Sequence, residues 1–200
     1  MKIVLATKNR GKIEEIKELL KDPDAEVLTL GDFPKLKLPA EKAASFRENA
    51  LQKARFAARK TGIPSIADDS GLQVDFLGKR PGVLSARYAG AGASDSDNYL
   101  KLLKELKGVL PAKRTARFRC VIAFATPEGK EKTFTGLLEG VIGSHPKGRG
   151  GFGYDPVFID TETGKTLAQL PPREKNRISH RGRALKKFRS WLLKEGKKAK

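Results

Sequence analysis

Apolar positions recur along the chain with two periods, and the switches between them mark the elements. Residues 2–6 read as a buried strand, after which Ile13, Ile16, Leu19 and Leu20 return at helical spacing with charges between them. Residues 26–30 predict a second strand, and the Pro- and Lys-rich stretch 32–39 predicts a loop. Ser45-Phe46-Arg47-Glu48 has the form of a capping box, Ser45 accepting from the Glu48 amide and Glu48 reaching back, ahead of the stripe Phe46, Ala50, Ala54 and Ala57. Residues 64–67 read as a short strand running into a turn at Asp68-Asp69-Ser70-Gly71, with 73–76 continuing as another. Residues 78–94, with Gly78, Gly82, Gly90 and Gly92, predict a long irregular loop, and loops of that length tend to carry function. A helix is expected over 94–107, begun by Ser94 or Asp95. Two long strands, 114–126 and 132–143, flank a turn at Pro127-Glu128-Gly129-Lys130. A second glycine-rich loop covers 148–156, and Ala184, Leu185, Phe188, Trp191 and Leu192 close the chain on an amphipathic helix. This alternation predicts an α/β protein of one domain over 1–200, with no internal repeat and a basic C-terminal tail over about 195–200 that is disordered.

Composition narrows the classes. An apolar content of 38% supplies a core, but no apolar run approaches the roughly 18 residues a membrane helix needs. The run after Met1 is too short for a secretory leader, so the expected location is the cytoplasm, with no membrane partner. The single cysteine, Cys120, lies within the alternation Ala116, Phe118, Cys120, Ile122, Phe124, which predicts a buried structural thiol. With only His145 and His180 beside it, a Cys/His zinc cluster is excluded. The net charge of +18 would attract polyanions, yet the excess is spread along the chain and densest at the end. Nucleic acid is therefore expected to bind non-specifically if at all.

The candidate chemistry is that of phosphate. Two adjacent carboxylates, Asp68 and Asp69, repel each other when buried unless a cation joins them, and Mg²⁺ takes such oxygen ligands together with water and substrate phosphates. The loop Thr7-Lys8-Asn9-Arg10-Gly11-Lys12, between strand and helix, offers a hydroxyl, an amide, three cations and the amides of a helix start. It lacks the Walker A spacing.

Four segments carry a family resemblance, in order. They are Thr7-x-Asn9-x-x-Lys12; Phe46-x-Glu48-Asn49-Ala50 with Lys53-Ala54; Ala67-Asp68-Asp69-Ser70-Gly71-Leu72 with Pro81-Gly82-x-x-Ser85-Ala86-Arg87; and Gly150-Gly151-Phe152-Gly153-Tyr154-Asp155-Pro156 with Lys175-x-x-Ile178-Ser179-His180-Arg181. Together they resemble the Ham1/RdgB family of inosine triphosphate pyrophosphatases. The resemblance implies an ITPase-like α/β fold with a long mixed sheet, two lobes around a central cleft, and a homodimer. It implies Mg²⁺-dependent hydrolysis of ITP, dITP, XTP and dXTP to the monophosphate and pyrophosphate, which clears deaminated purines from the nucleotide pool. By position, Asp69 resembles the general base and a metal ligand, and Glu41 the second metal-associated acid, although Ala40-Glu41-Lys42-Ala43-Ala44 departs from the family's acid-rich, Gly-containing version. The loop Thr7, Lys8, Asn9, Arg10, Gly11 and Lys12 falls where the triphosphate is held. Ser70 resembles a phosphate or water ligand, and Phe152, Gly153, Tyr154, Asp155, Lys175, His180 and Arg181 resemble the base and phosphate pocket. Arg181 or a protonated His180 would donate to the purine O6, which an adenine amino group cannot accept. Two alternatives stand beside this reading: a Maf-type nucleotide pyrophosphatase, which the Ser179-His180-Arg181 segment disfavours, and a basic nucleic-acid-binding protein without turnover.

Overall fold

A computed structural model describes residues 2–20, 26–41 and 43–198, with side chains to residue 195 in the last helix. The elements in chain order are β1 (Lys2–Leu5), α1 (Arg10–Leu19), β2 (Glu26–Thr29), α2 (Phe46–Thr61), β3 (Ser65–Val74), α3 (Asp95–Glu105), β4 (Thr115–Ala125), β5 (Glu131–Ile142), β6 (Phe158–Asp160), α4 (Pro172–Ile178) and α5 (His180–Lys198). One mixed sheet of six strands runs β2-β1-β3-β4-β5-β6. β1 pairs in parallel with β2, Lys2 opposite Glu26, and with β3, Val4 opposite Ser65, while β5 and β6 are antiparallel, Gly140 opposite Asp160. The class is α/β, as the alternating periods imply.

The chain forms two compact units, one of residues 1–69, 120–136 and 181–200, the other of 70–119 and 137–180. It passes from one to the other inside β3, β4, β5 and α5, not through a linker, which is why composition shows no break. Each unit has its own core. In the first, Ile3, Leu5, Ile16, Ile66 and Ile122 meet Phe188 of α5, and Trp191 packs with its ring centre 5.2 Å from that of Phe124. In the second, Leu72, Leu102, Leu138 and Ile142 surround Phe118 and Phe158, whose ring centres are 4.7 Å apart. Burying a side chain of this size stabilises by about 1.5–3 kcal/mol.

Local chemistry sets the helix ends. Asn9 caps α1, its Oδ1 accepting the Lys12 amide at 3.0 Å. Ser45 caps α2 by accepting the Glu48 amide at 3.2 Å, but Glu48 does not complete the expected box. Its carboxylate pairs instead with Arg55 at 3.0 Å, one turn and more along the same helix. Gly62 ends α2 at φ 69°, the left-handed conformation glycine adopts without strain.

The largest departure from the sequence reading is at the acid pair. The turn expected over residues 68–71 does not exist: β3 is one strand of ten residues, and Asp68, Asp69 and Ser70 lie in its middle. Aspartate is poor in strands on its own, and tertiary partners override that preference here. Of the basic tail expected to be disordered over about 195–200, the part to Lys198 is helical within α5, and residues 199–200 lie outside the described residues, as does Lys42 of the segment around Glu41.

Candidate active site

Consecutive side chains of a strand point to opposite faces, so β3 separates its two carboxylates. Asp68 is fully buried. Its Oδ2 accepts Arg181 Nε and the Cys120 thiol, each at 3.2 Å, while Oδ1 meets the Lys12 ammonium. The guanidinium of Arg181, itself 2% exposed, also pairs with Glu15. Lys12, Asp68, Arg181 and Glu15 thus form a neutral chain of alternating charges. Burial alone would raise the Asp68 pKa, but Lys12, Arg181 and Lys53 outweigh it and hold the carboxyl well below the usual carboxylate range. Burial likewise opposes the charge on Arg181, and Asp68 and Glu15 reverse that, so its pKa is raised. Cys120 is pushed well above an ordinary thiol by burial and by Asp68, which makes it the inert structural thiol the alternation predicts.

Asp69 has other company. Its Oδ2 accepts Asn49 Nδ2 at 3.1 Å, and its Oδ1 lies 3.9 Å from Lys53 Nζ. Lys53 also donates to the Asp68 carbonyl at 2.7 Å and pairs with Glu41. Two carboxylates around one ammonium leave an excess negative charge, and burial first, then Glu41 and Asp68, push the Asp69 pKa up to about 6 against the pull of Lys53 and Lys12. This is the donor chemistry that a hard divalent cation satisfies: two carboxylate oxygen ligands with negative charge to spare, and room in its shell for water and phosphate. Glu41 and Asp69 fit that role, although no group of three or more metal-ligating side chains occurs among the described residues.

The loop before α1 is built around its own polar groups. Thr7 is buried, and its Oγ1 accepts the Asn9 amide at 3.3 Å. Lys8 and Arg10 are exposed, Gly11 is half-buried, and Lys12 turns inward to Asp68. The cap formed by Asn9 explains its place in the segment independently of any ligand.

In the second unit, Phe152 N–H donates to Asp155 Oδ2 at 2.9 Å, and Asp155 pairs with the buried Lys175. The Lys175 ammonium stands 4.7 Å from the centre of the Phe152 ring, a cation–π contact. Gly151 has φ 73°, and a Cβ there would meet Asp155 Oδ2 at 2.1 Å, so only glycine fits. The Tyr154 hydroxyl donates to the Ser85 carbonyl at 2.9 Å, and Ser85 Oγ accepts the Leu72 amide at 2.9 Å. His180 is buried and stacked on Phe118, ring centres 4.6 Å apart and nearly parallel. Ser70 is half-buried at the start of this unit.

The predicted residues therefore fall into two groups. Thr7, Lys8, Asn9, Arg10, Gly11, Lys12, Glu41, Asp69 and Arg181 belong to the first unit, and Ser70, Phe152, Gly153, Tyr154, Asp155, Lys175 and His180 to the second. Arg181, grouped in the sequence with the base pocket, is bound into the charge chain of Asp68 and Glu15. Sequence reasoning gave no role to Asn49, Lys53 or Glu15. Asn49 and Lys53 are buried on the face of α2 that carries Phe46, Ala50, Ala54 and Ala57, and polar residues inside an apolar stripe were the available signal. Glu15 follows Lys12 by three residues on α1, and nothing local distinguishes it from Glu14 or Glu18.

The Ham1 family model matches residues 3–191. A dITP/XTP pyrophosphatase of Geobacter sulfurreducens is 51% identical over 195 residues, 98% of each chain. One from Desulforamulus reducens is 52% identical over 187 residues, covering 94% of this chain and 93% of its own. The solved structure of a HAM1 protein from Coxiella burnetii superposes with a TM-score of 0.89 at 41% identity, covering 97% of this chain and 99% of that one. With sequence and fold agreeing over nearly its whole length, the protein belongs to the Ham1 family.

Proposed function

We infer that the protein is a hydrolase of acid anhydrides that converts the triphosphates of deaminated purines, dITP, ITP, XTP and dXTP, to the monophosphate and pyrophosphate. The observation that carries this is the half-identity, over 98% of the chain, to a protein named dITP/XTP pyrophosphatase. The geometry supports it. Asp69 is a buried base whose pKa near 6 leaves it ionised at neutral pH, yet close enough to accept a proton from an attacking water. Asn49 donates to Oδ2 at 3.1 Å and so orients the carboxylate. Lys12 and Lys53 bring positive charge to phosphate oxygens, a need set by the roughly four negative charges of a triphosphate. Mg²⁺ held by Glu41 and Asp69 would neutralise phosphate charge and polarise the reacting phosphoryl group. Phe152 offers an aromatic face to a purine, and His180 and Arg181 are the candidate donors to O6. A homodimer and a cytoplasmic location belong to the same proposal. Among the described residues, no helix is long and apolar enough to cross a membrane.

Purified protein incubated with Mg²⁺ and, separately, ITP, XTP, GTP and ATP tests the reading directly. IMP and XMP with pyrophosphate, and little product from ATP or GTP, is the expected result. Orthophosphate in place of pyrophosphate, or equal turnover of ATP, would reject it.

A further inference from the structure

Two carboxylates, one from within the second glycine-rich loop and one from α3, hold consecutive amides of that loop. Phe152 N–H goes to Asp155, and the next amide, Gly153 N–H, donates to Oδ2 of Asp95 at 2.7 Å. Gly153 has φ 62°, a left-handed conformation that lets neighbouring amides find separate acceptors. Asp95 is the first residue of α3, but it is not what caps the helix. Ser94 and Asp97 do that reciprocally, the Asp97 amide to Ser94 Oγ at 3.1 Å and the Ser94 amide to Asp97 Oδ2 at 2.9 Å. The Asp95 carboxylate is exposed and its bond to Gly153 ties α3 to the loop. The rest of the loop has fastenings of its own: Gly150 N–H to the Ala168 carbonyl at 3.0 Å, and the Tyr154 hydroxyl to the Ser85 carbonyl at 2.9 Å.

We propose that Asp95 is a positioning residue for base recognition: by holding the Gly153 amide it fixes the Phe152–Gly153 peptide, and with it the angle of the Phe152 ring beside Lys175. The proposal rests on the reading of 152–155 as the segment that holds the purine. It makes Asp95 act on the nucleobase end of the substrate and not on the phosphate end. Removing its side chain leaves the α3 cap, the Asp155–Lys175 pair and the Tyr154 anchor in place, so the fold survives the change.

The test uses Asp95→Ala and Asp95→Asn in the full chain, with three readouts: steady-state kinetics on ITP, competitive inhibition by inorganic tripolyphosphate, and deuterium uptake in residues 150–155. Asp95→Ala should raise KM for ITP about tenfold, the scale of one charge-assisted hydrogen bond, while kcat changes by about threefold or less. The inhibition constant of tripolyphosphate, which has no base, should stay unchanged, and deuterium uptake in 150–155 should rise. Asp95→Asn keeps an acceptor oxygen and should restore KM. Unchanged KM and uptake in Asp95→Ala, or a parallel rise in KM and in the tripolyphosphate constant, overturns the proposal, as does an Asn variant no better than Ala. Wild-type protein that fails to hydrolyse ITP instead sinks the functional reading, and the uptake measurement then decides whether Asp95 holds the loop.

Discussion

Asp68 and Asp69 are covalent neighbours of one residue type on one strand, yet the two faces of β3 make them opposites. On one face Asp68 meets two cations and a thiol inside a neutral charge chain, and its pKa is driven down. On the other, Asp69 shares a single lysine with Glu41, and its pKa climbs to about 6. Burial is nearly the same, 0% against 5% exposed, so it cannot be what separates them. What separates them is charge balance. A carboxylate whose charge is balanced is a structural part, and one whose charge is not holds reactivity in reserve for a proton, a metal ion or a substrate.

The sharpest way to break this comparison is to neutralise each acid in turn. Asp69→Asn keeps the acceptor for Asn49 but cannot take a proton, and kcat on ITP should fall about a thousandfold, within the range a positioned base supplies. Turnover within tenfold of wild type would remove Asp69 from the base role. Asp68→Asn should act on the fold, because it removes the carboxylate that stands between the Lys12 ammonium and the Arg181 guanidinium. Breaking a buried ion pair costs about 3–5 kcal/mol, which chemical denaturation would read as a lowered midpoint. A midpoint equal to wild type would show that the charge chain does not need Asp68.

The same contrast marks what the sequence discloses. The periods that predict β1, α1, β4, β5 and α5 are local, and so are Asn9 and Ser45 at helix starts and the glycines of 148–156. The buried alternation around Cys120 needs only a window of ten residues. By contrast, Asp-Asp-Ser-Gly has the composition of a turn, and the partners that make it the centre of a strand come from far away: Arg181 is 113 residues from Asp68 and 166 from Glu15. No local pattern encodes such a pairing, so Arg181 was legible as part of a segment and illegible as one end of a charge chain. Lys53 stands between these cases. A lysine on the apolar stripe of α2 is visible in the sequence, but its placement between Glu41 and Asp69 is not.

The smallest effect concerns stability and turns on the sign of the Asp69 shift. A carboxyl whose pKa is raised on folding, here from 3.8 to about 6, favours the folded state below pH 3.8, and that contribution is lost as pH rises through about 6. At pH 8 the wild type carries the full penalty of a buried, ill-balanced charge, at most about 3 kcal/mol, whereas an asparagine carries none. In a chelator, the Asp69→Asn variant should therefore melt a few degrees above wild type at pH 8, and the gap should close toward pH 4.5. Added Mg²⁺ should also narrow the gap at pH 8, because only the carboxylate gains a ligand bond. A gap independent of pH would place the strain of this face in shape and not in charge. A gap that closes with pH but ignores Mg²⁺ would keep Asp69 as the base and leave the metal to other oxygens.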